Sequence, residues 1–163
     1  MLNLEQQLKG SVEPYVVKGV GVPGSGKTTM LKVIARNLEI VRICPDDIRQ
    51  ELTGSDEDQS INDEVWAEAF RRIGVNLKLG RSVIVDATHT EAKLRPKQVA
   101  KYRRNGAEKV IAVVFDTPLA VAKQRNKTRS RIVPLYVINR KHTELKKQTV
   151  SCREGFDAVY VVR

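Results

Sequence analysis

Apolar positions along this chain alternate between strand-like runs and helical stripes. Tyr15–Val20 (YVVKGV) is a short β-rich run ending in glycines. Residues 27–38 place Met30, Leu31, Ile34 and Leu38 on one helical face, and 40–44 form a second strand halted by Pro45. A short helix over 46–52 stops at Thr53-Gly54, and the polar, acidic stretch 55–60 (SDEDQS) reads as a loop. Ile61, Val65, Ala69, Ile73 and Leu77 then recur every four residues and predict an amphipathic helix over 60–79. Ser60 is its expected cap, Asp63 sits in its first turn and Gly80 ends it.

Residues 82–86 (SVIVD) are a continuous apolar run closing on a carboxylate, the pattern of a strand buried on both faces. A helix is expected over Arg95–Arg104, with Pro96 in its first turn, and a fourth strand over Lys109–Phe115. A helix over 118–125, a basic segment 125–131 (RNKTRSR), a last helix from Pro134 to about 149 and a strand over 157–162 complete the chain. Five strands alternating with helices predict an α/β fold, a parallel five-stranded sheet with helices on both faces. The 163 residues suit one domain, 1–163, with a 1–14 N-terminal extension. Leu2, Leu4 and Leu8 there either pack on the sheet edge or meet a second subunit.

Composition narrows the class. Cys44 and Cys152 have neither zinc nor disulfide spacing, and His89 and His142 form no metal motif. Cys44 reads as a small buried hydrophobe. No apolar run approaches a membrane span or a signal peptide, so a soluble, cytoplasmic protein is expected. The formal net charge is +10, unevenly spread. Residues 1–90 carry 11 basic and 13 acidic side chains, whereas 91–163 carry 18 and 6. A phosphate-rich partner would therefore meet the C-terminal half.

Gly21-Val22-Pro23-Gly24-Ser25-Gly26-Lys27-Thr28 matches the phosphate-loop pattern G-x-x-x-x-G-K-[ST] between a strand and a helix. Glycines let successive backbone N–H groups converge on a phosphate at the positive end of a helix. Lys27 would reach the β- and γ-phosphates, Thr28 would ligate Mg²⁺ and Thr29 would approach the α-phosphate. ATP and Mg²⁺ are thus the expected cofactors. Asp46 and Arg49 lie three apart at the start of a helix that follows the second strand. Such a pair suits a carboxylate that takes a hydroxyl proton beside an arginine that grips an acceptor anion. It equally suits carboxylates complementing a helix dipole, and Asp47 is the second choice for the base. Asp86 is a candidate for holding Mg²⁺ through water. The basic run around Arg125, Arg129 and Arg131 has the makings of a small lid over a triphosphate, about 125–133. Arg131 fits an exposed nucleic-acid-facing loop better than Arg129 does.

The segments GVPGSGKTT, PDDIR, VIVDATHTEAKLR and FDTPLAVAKQRNKTRSRIVP, in this order, resemble the polynucleotide 5′-kinase family, the phage enzymes and the kinase modules of bacterial end-healing proteins. The resemblance implies a P-loop kinase that transfers the γ-phosphate of ATP to the 5′-hydroxyl of DNA or RNA. By that resemblance Asp46 is the general base and Arg49 holds the acceptor's adjacent phosphate. Arg129, with Arg125 before it, contacts the ATP phosphates. Asp86-Ala87-Thr88-His89 stands where the family often reads D-x-T-N, which leaves His89 as a polar rim residue. With the chain ending at Arg163, no 3′-end repair activity is expected of it. A small-molecule or nucleoside kinase on the same scaffold is the alternative reading. A nucleotide-gated binding module is a further one, opposed by the intact Asp46/Arg49 pair.

Overall fold

The computed structural model describes every residue except Met1, Val12 and Ser130. Five runs rich in valine and isoleucine form one parallel sheet: β1 (Tyr15–Val20), β2 (Val41–Ile43), β3 (Val83–Asp86), β4 (Lys109–Phe115) and β5 (Ala158–Val162). Their order is β2-β3-β1-β4-β5. Central β1 pairs Val17 with Ile84 on one side and with Ile111 on the other. Covered on both faces, β1, β3 and β4 have no solvent side to keep polar, so they read as nearly unbroken apolar runs, whereas Val41 of β2 and Val161 of β5 on the edge strands are exposed.

The pleat divides the core in two. Val16, Val20, Val83, Val85, Val110 and Ala112 point to one face, and Tyr15, Val17, Ile84, Ile111 and Val113 to the other. The helices are α1 (Leu2–Lys9), α2 (Lys27–Asn37), α3 (Pro45–Thr53), α4 (Asn62–Lys78), α5 (Arg95–Arg104), α6 (Leu119–Lys127) and α7 (Leu135–Lys147). Ile48, the Val65–Ala69–Ile73–Leu77 stripe, Val99, Tyr102 and Leu145 cover the first face from α3, α4, α5 and α7. Leu4 and Leu8 of α1 join Leu31 and Ile34 of α2 on the second. The N-terminal segment is therefore a helix on the chain's own sheet, tied to α2 by Asn37 Nδ2 donating to Glu5 Oε1 at 3.1 Å. The side chain of Leu2 lies outside the described residues.

Two local expectations are corrected. Helix α4 begins at Asn62, with Ile61 at the cap position and no side-chain cap. Ser60 instead closes a turn with Asp58, its N–H donating to Oδ1 at 2.9 Å and its hydroxyl at 2.5 Å. Helix α6 runs on to Lys127, so Arg125 rides on a helix and the basic loop is shorter than the sequence suggests. A 3₁₀ turn over Cys152–Glu154, unanticipated, sets Glu154 against Arg95. Because the strands are parallel, their C-terminal ends gather at one edge. The phosphate loop, α3, the loop after β3 and the loop after β4 all leave from there.

Candidate active site

The loop after β1 owes its curl to positive φ at Gly24 (80°) and Gly26 (89°). Gly24 also has no room for a side chain: a Cβ there would meet the backbone carbonyl oxygen of Ala122 in α6 at 2.3 Å. The loop is braced from both neighbours, Gly21 N–H donating to the Thr88 carbonyl (2.9 Å) and Thr117 Oγ1 to the Ser25 carbonyl (3.0 Å). Lys27 arches back over it, Nζ donating to the Val22 carbonyl at 3.0 Å and to Ser25 Oγ at 3.4 Å. Burial pushes the Lys27 ammonium down to about 8, with Asp86 opposing and the Arg129 guanidinium adding to the shift. Pro23 to Thr29 line a large cleft, whereas Gly21 and Val22 sit behind it as support.

Asp46 and Arg49 meet as the i, i+3 spacing requires, Nη1 to Oδ1 at 2.5 Å. Arg49 is only 3% exposed and is held further by Asn62 Oδ1 (3.1 Å) and the Asp56 carbonyl (3.4 Å), while its Nε has no partner. Asp47 turns away to Arg42 at 2.7 Å and lies outside this cleft, which removes it as the second choice for the base. Arg131 is not a free basic loop residue. Its Nη1 lies 3.5 Å from Asp46 Oδ1 and 3.7 Å from Asp56 Oδ2, so the basic loop reaches across to α3. That loop is pinned by buried Asn126, whose side chain donates to the Val133 carbonyl (2.8 Å) and accepts from the Val133 N–H (3.1 Å). Arg125 lies over the phosphate loop, its Nη1 3.4 Å from where a Gly26 Cβ would stand, and Arg129 lines the same cleft.

Asp86 ends β3 almost fully buried, with Oδ2 accepting from Arg42 Nε at 2.9 Å. Thr28 is exposed and lines the same cleft as Asp86. His89 contradicts its reading as a rim residue: it is 8% exposed, at φ 47°. Its Nδ1 donates to the Gly19 carbonyl at 2.8 Å, leaving Nε2 as an unpartnered lone pair. Burial, with the nearby Lys18 charge, holds this imidazole well below its ordinary range, so it is neutral at pH 7. Cys44 is buried as expected, and burial pushes its thiol up to about 11.

The cleft holds about 1110 Å³ and runs on past Asp46. One wall is α4, where Trp66 and Phe70 lie with ring centroids 5.9 Å apart and Trp66 reaches to 5.7 Å from His89. Another wall is α7, anchored to the loop after β3 by Thr90 Oγ1 donating to Glu144 Oε2 at 3.0 Å. One and two turns earlier, α7 presents Arg140 and Tyr136 to the cleft. Sequence pattern alone does not single out Trp66, Phe70, Gln98 or Arg140. The available signal was two bulky aromatics flanking, rather than joining, the α4 stripe.

A component of a Pnkp1/Rnl/Hen1 RNA repair complex superposes with a TM-score of 0.75 at 25% identity, covering 93% of this chain and 49% of the other. The chain thus spans about half the length of that component. A sugar kinase from Janibacter sp. HTCC2649 gives 0.62 at 20% identity, covering 91% and 84%. A gluconokinase from Sinorhizobium meliloti 1021 gives 0.57 at 21%, covering 91% and 82%. No curated protein matches the chain. The family described as an AAA domain matches residues 16–149, which takes in the phosphate loop, α3 and the basic loop. The chain belongs to that family, and its fold is the P-loop kinase fold.

Proposed function

We propose that this P-loop kinase transfers the γ-phosphate of Mg·ATP to the 5′-hydroxyl end of DNA or RNA. The observation carrying the reading is the cleft itself. It leads from the phosphate loop past the Asp46–Arg49 pair into a channel with an aromatic wall and a cationic rim of Arg131, Arg140 and Lys141. Aromatic faces with guanidinium and ammonium groups suit bases and phosphates of a single strand. The similarity to an RNA repair component and the 18 basic against 6 acidic residues of 91–163 support it.

In this mechanism the loop amides and Lys27 bind the triphosphate, with Arg125 and Arg129 over it. Asp46 accepts the proton of the 5′-hydroxyl, whose oxygen forms the new bond to the γ-phosphorus as the bond to the β,γ-bridging oxygen breaks, releasing ADP. Arg49 holds the acceptor's neighbouring phosphate, and Arg131 is close enough to share that task. Thr28 and Asp86, the latter through water, fit Mg²⁺, which tolerates few protein ligands when phosphate oxygens and water complete its shell. The ion supplies neutralisation of charge on the transferring group. Arg42 fixes the Asp86 carboxylate for that purpose.

Transfer of labelled γ-phosphate to 5′-hydroxyl DNA and RNA, beside nucleosides and sugars, tests the reading. Asp46→Ala should lower transfer by about 10²- to 10⁴-fold while ATP affinity persists. Undiminished transfer in the variant would remove Asp46 as the base. The second reading, a compact acceptor, is favoured by the deep burial of Arg49, which offers one narrow anion contact. Transfer to a sugar or nucleoside and to no oligonucleotide would select it.

A further inference from the structure

Lys18 is an oddity: a lysine in the middle of the central strand with no exposure at all. Its Nζ lies 5.6 Å from the Tyr102 ring centroid and donates to Gln98 Oε1. Gln98 is one turn before Tyr102 on α5, and it lines the cleft. That bond runs from Nζ to the amide oxygen, so Gln98 turns its oxygen inward and its NH₂ outward. That NH₂ has no partner among the described residues. The burial of Lys18 therefore fixes a pair of hydrogen-bond donors at the floor of the cleft.

Beside that floor stands the aromatic wall. Arg49, the anion-holding arginine, is bonded to Asn62 at the start of α4. Trp66 lies four residues on, about 6 Å further along the helix axis, and Phe70 about 12 Å. One helical turn is roughly the span of the sugar that separates a nucleotide's 3′-phosphate oxygen from its base. A flat face at that distance, edged by donors, suits a planar group carrying carbonyl or ring-nitrogen acceptors. The Lys101 ammonium, 3.7 Å from the Phe70 centroid, covers that ring, so Trp66 is the face left to stack on.

We infer that Trp66 and Gln98, the latter oriented by Lys18, form a nucleobase site for the terminal nucleotide of the acceptor. This rests on the acceptor end proposed above and adds to it a specificity device: Trp66 supplies the stacking face, Gln98 reads the base edge and Lys18 is a positioning residue. The test compares kcat/KM for 5′-hydroxyl oligonucleotides whose terminal nucleotide is intact or abasic, with a nucleoside and free ribose alongside. The intact-to-abasic ratio is expected to be about tenfold in the wild type, the size of a base–aromatic stack. Taken within each protein, the ratio cancels any loss of folded enzyme. It should fall to near one in Trp66→Ala and to an intermediate value in Gln98→Ala. Lys18→Met should give the Gln98→Ala ratio, and the double variant should add nothing.

A wild type that phosphorylates abasic and intact ends equally would overturn the base site while leaving the polynucleotide reading standing. Phosphorylation of the nucleoside over ribose, with no oligonucleotide accepted, would do the reverse. Transfer to ribose without preference for the nucleoside would overturn both.

Discussion

The close approach of the phosphate loop to α6 makes a measurable demand on one glycine. Gly24→Ala introduces two costs that can be separated. The first is backbone strain, since an L side chain at φ 80° costs about 1–2 kcal/mol. The second is contact: the new Cβ lies 2.3 Å from the Ala122 carbonyl oxygen and 3.0 Å from its carbon. These are helix backbone atoms, so no rotamer relieves the clash, and overpacking of this kind adds about 1–3 kcal/mol. Gly80→Ala supplies the control, with φ 70° and nothing within 4 Å of its Cβ. It carries the strain alone. Thermal unfolding should place Gly24→Ala below Gly80→Ala by about 2 kcal/mol, roughly 4–8 °C for a chain of this length. The stabilisation of the wild type by ATP should also vanish in Gly24→Ala and persist in Gly80→Ala. Equal melting temperatures, with nucleotide stabilisation intact in both, would refute the claim that the loop and α6 are packed in contact.

Three further outcomes are expected from the same structure. Lys27, at about 8, must be charged to hold a triphosphate. ATP binding should therefore take up a proton and weaken as pH rises from 7 to 9, read by calorimetry in buffers of different ionisation enthalpy. In the ligand-free protein the sign reverses: the unfolded lysine keeps its proton up to 10.5, so this group's penalty is full below pH 8 and disappears as pH rises between those values. Glu154→Ala strips the carboxylate from fully buried Arg95, leaving it the Thr90 and Gln148 carbonyls at 2.9 Å, and should cost about 3 kcal/mol in urea unfolding. A loss under about 1 kcal/mol would mean the guanidinium finds water or another partner. Finally, if Arg49, Arg131 and Arg140 each neutralise an acceptor phosphate, log KM should rise with log salt at a slope of about 2, or roughly fifteenfold between 50 and 200 mM. A flat response would argue against a polynucleotide acceptor.

What the sequence revealed and what it hid divide along a physical line. The phosphate loop, the Asp46–Arg49 pair and the five strands depend on neighbours within a few residues, so pattern and spacing carry them. The ion pairs of Arg131 and the burial of His89 are not legible in the sequence because their surroundings come from distant segments: Asp46 and Asp56 for one, Gly19 and Trp66 for the other. A histidine after a strand looks polar and peripheral until the neighbouring strand's carbonyl is seen to accept a hydrogen bond from its ring N–H. Lys18 and Arg95 were hidden for the same reason. A buried amine or guanidinium is tolerated only with partners brought by folding, here Gln98 and Tyr102 for the lysine, whose burial holds its pKa well below the ordinary range, and Glu154 for the arginine. The aromatic wall is the instructive case, since its signal was present. Successive helical residues are about 100° apart, so Trp66 and Phe70 each lie one step round from Val65 and Ala69 of the core stripe. A stripe sorts positions into core and solvent, but a helix that borders a cleft has a third side. Large aromatics placed one step off the stripe, where solvent would favour charge, mark that side.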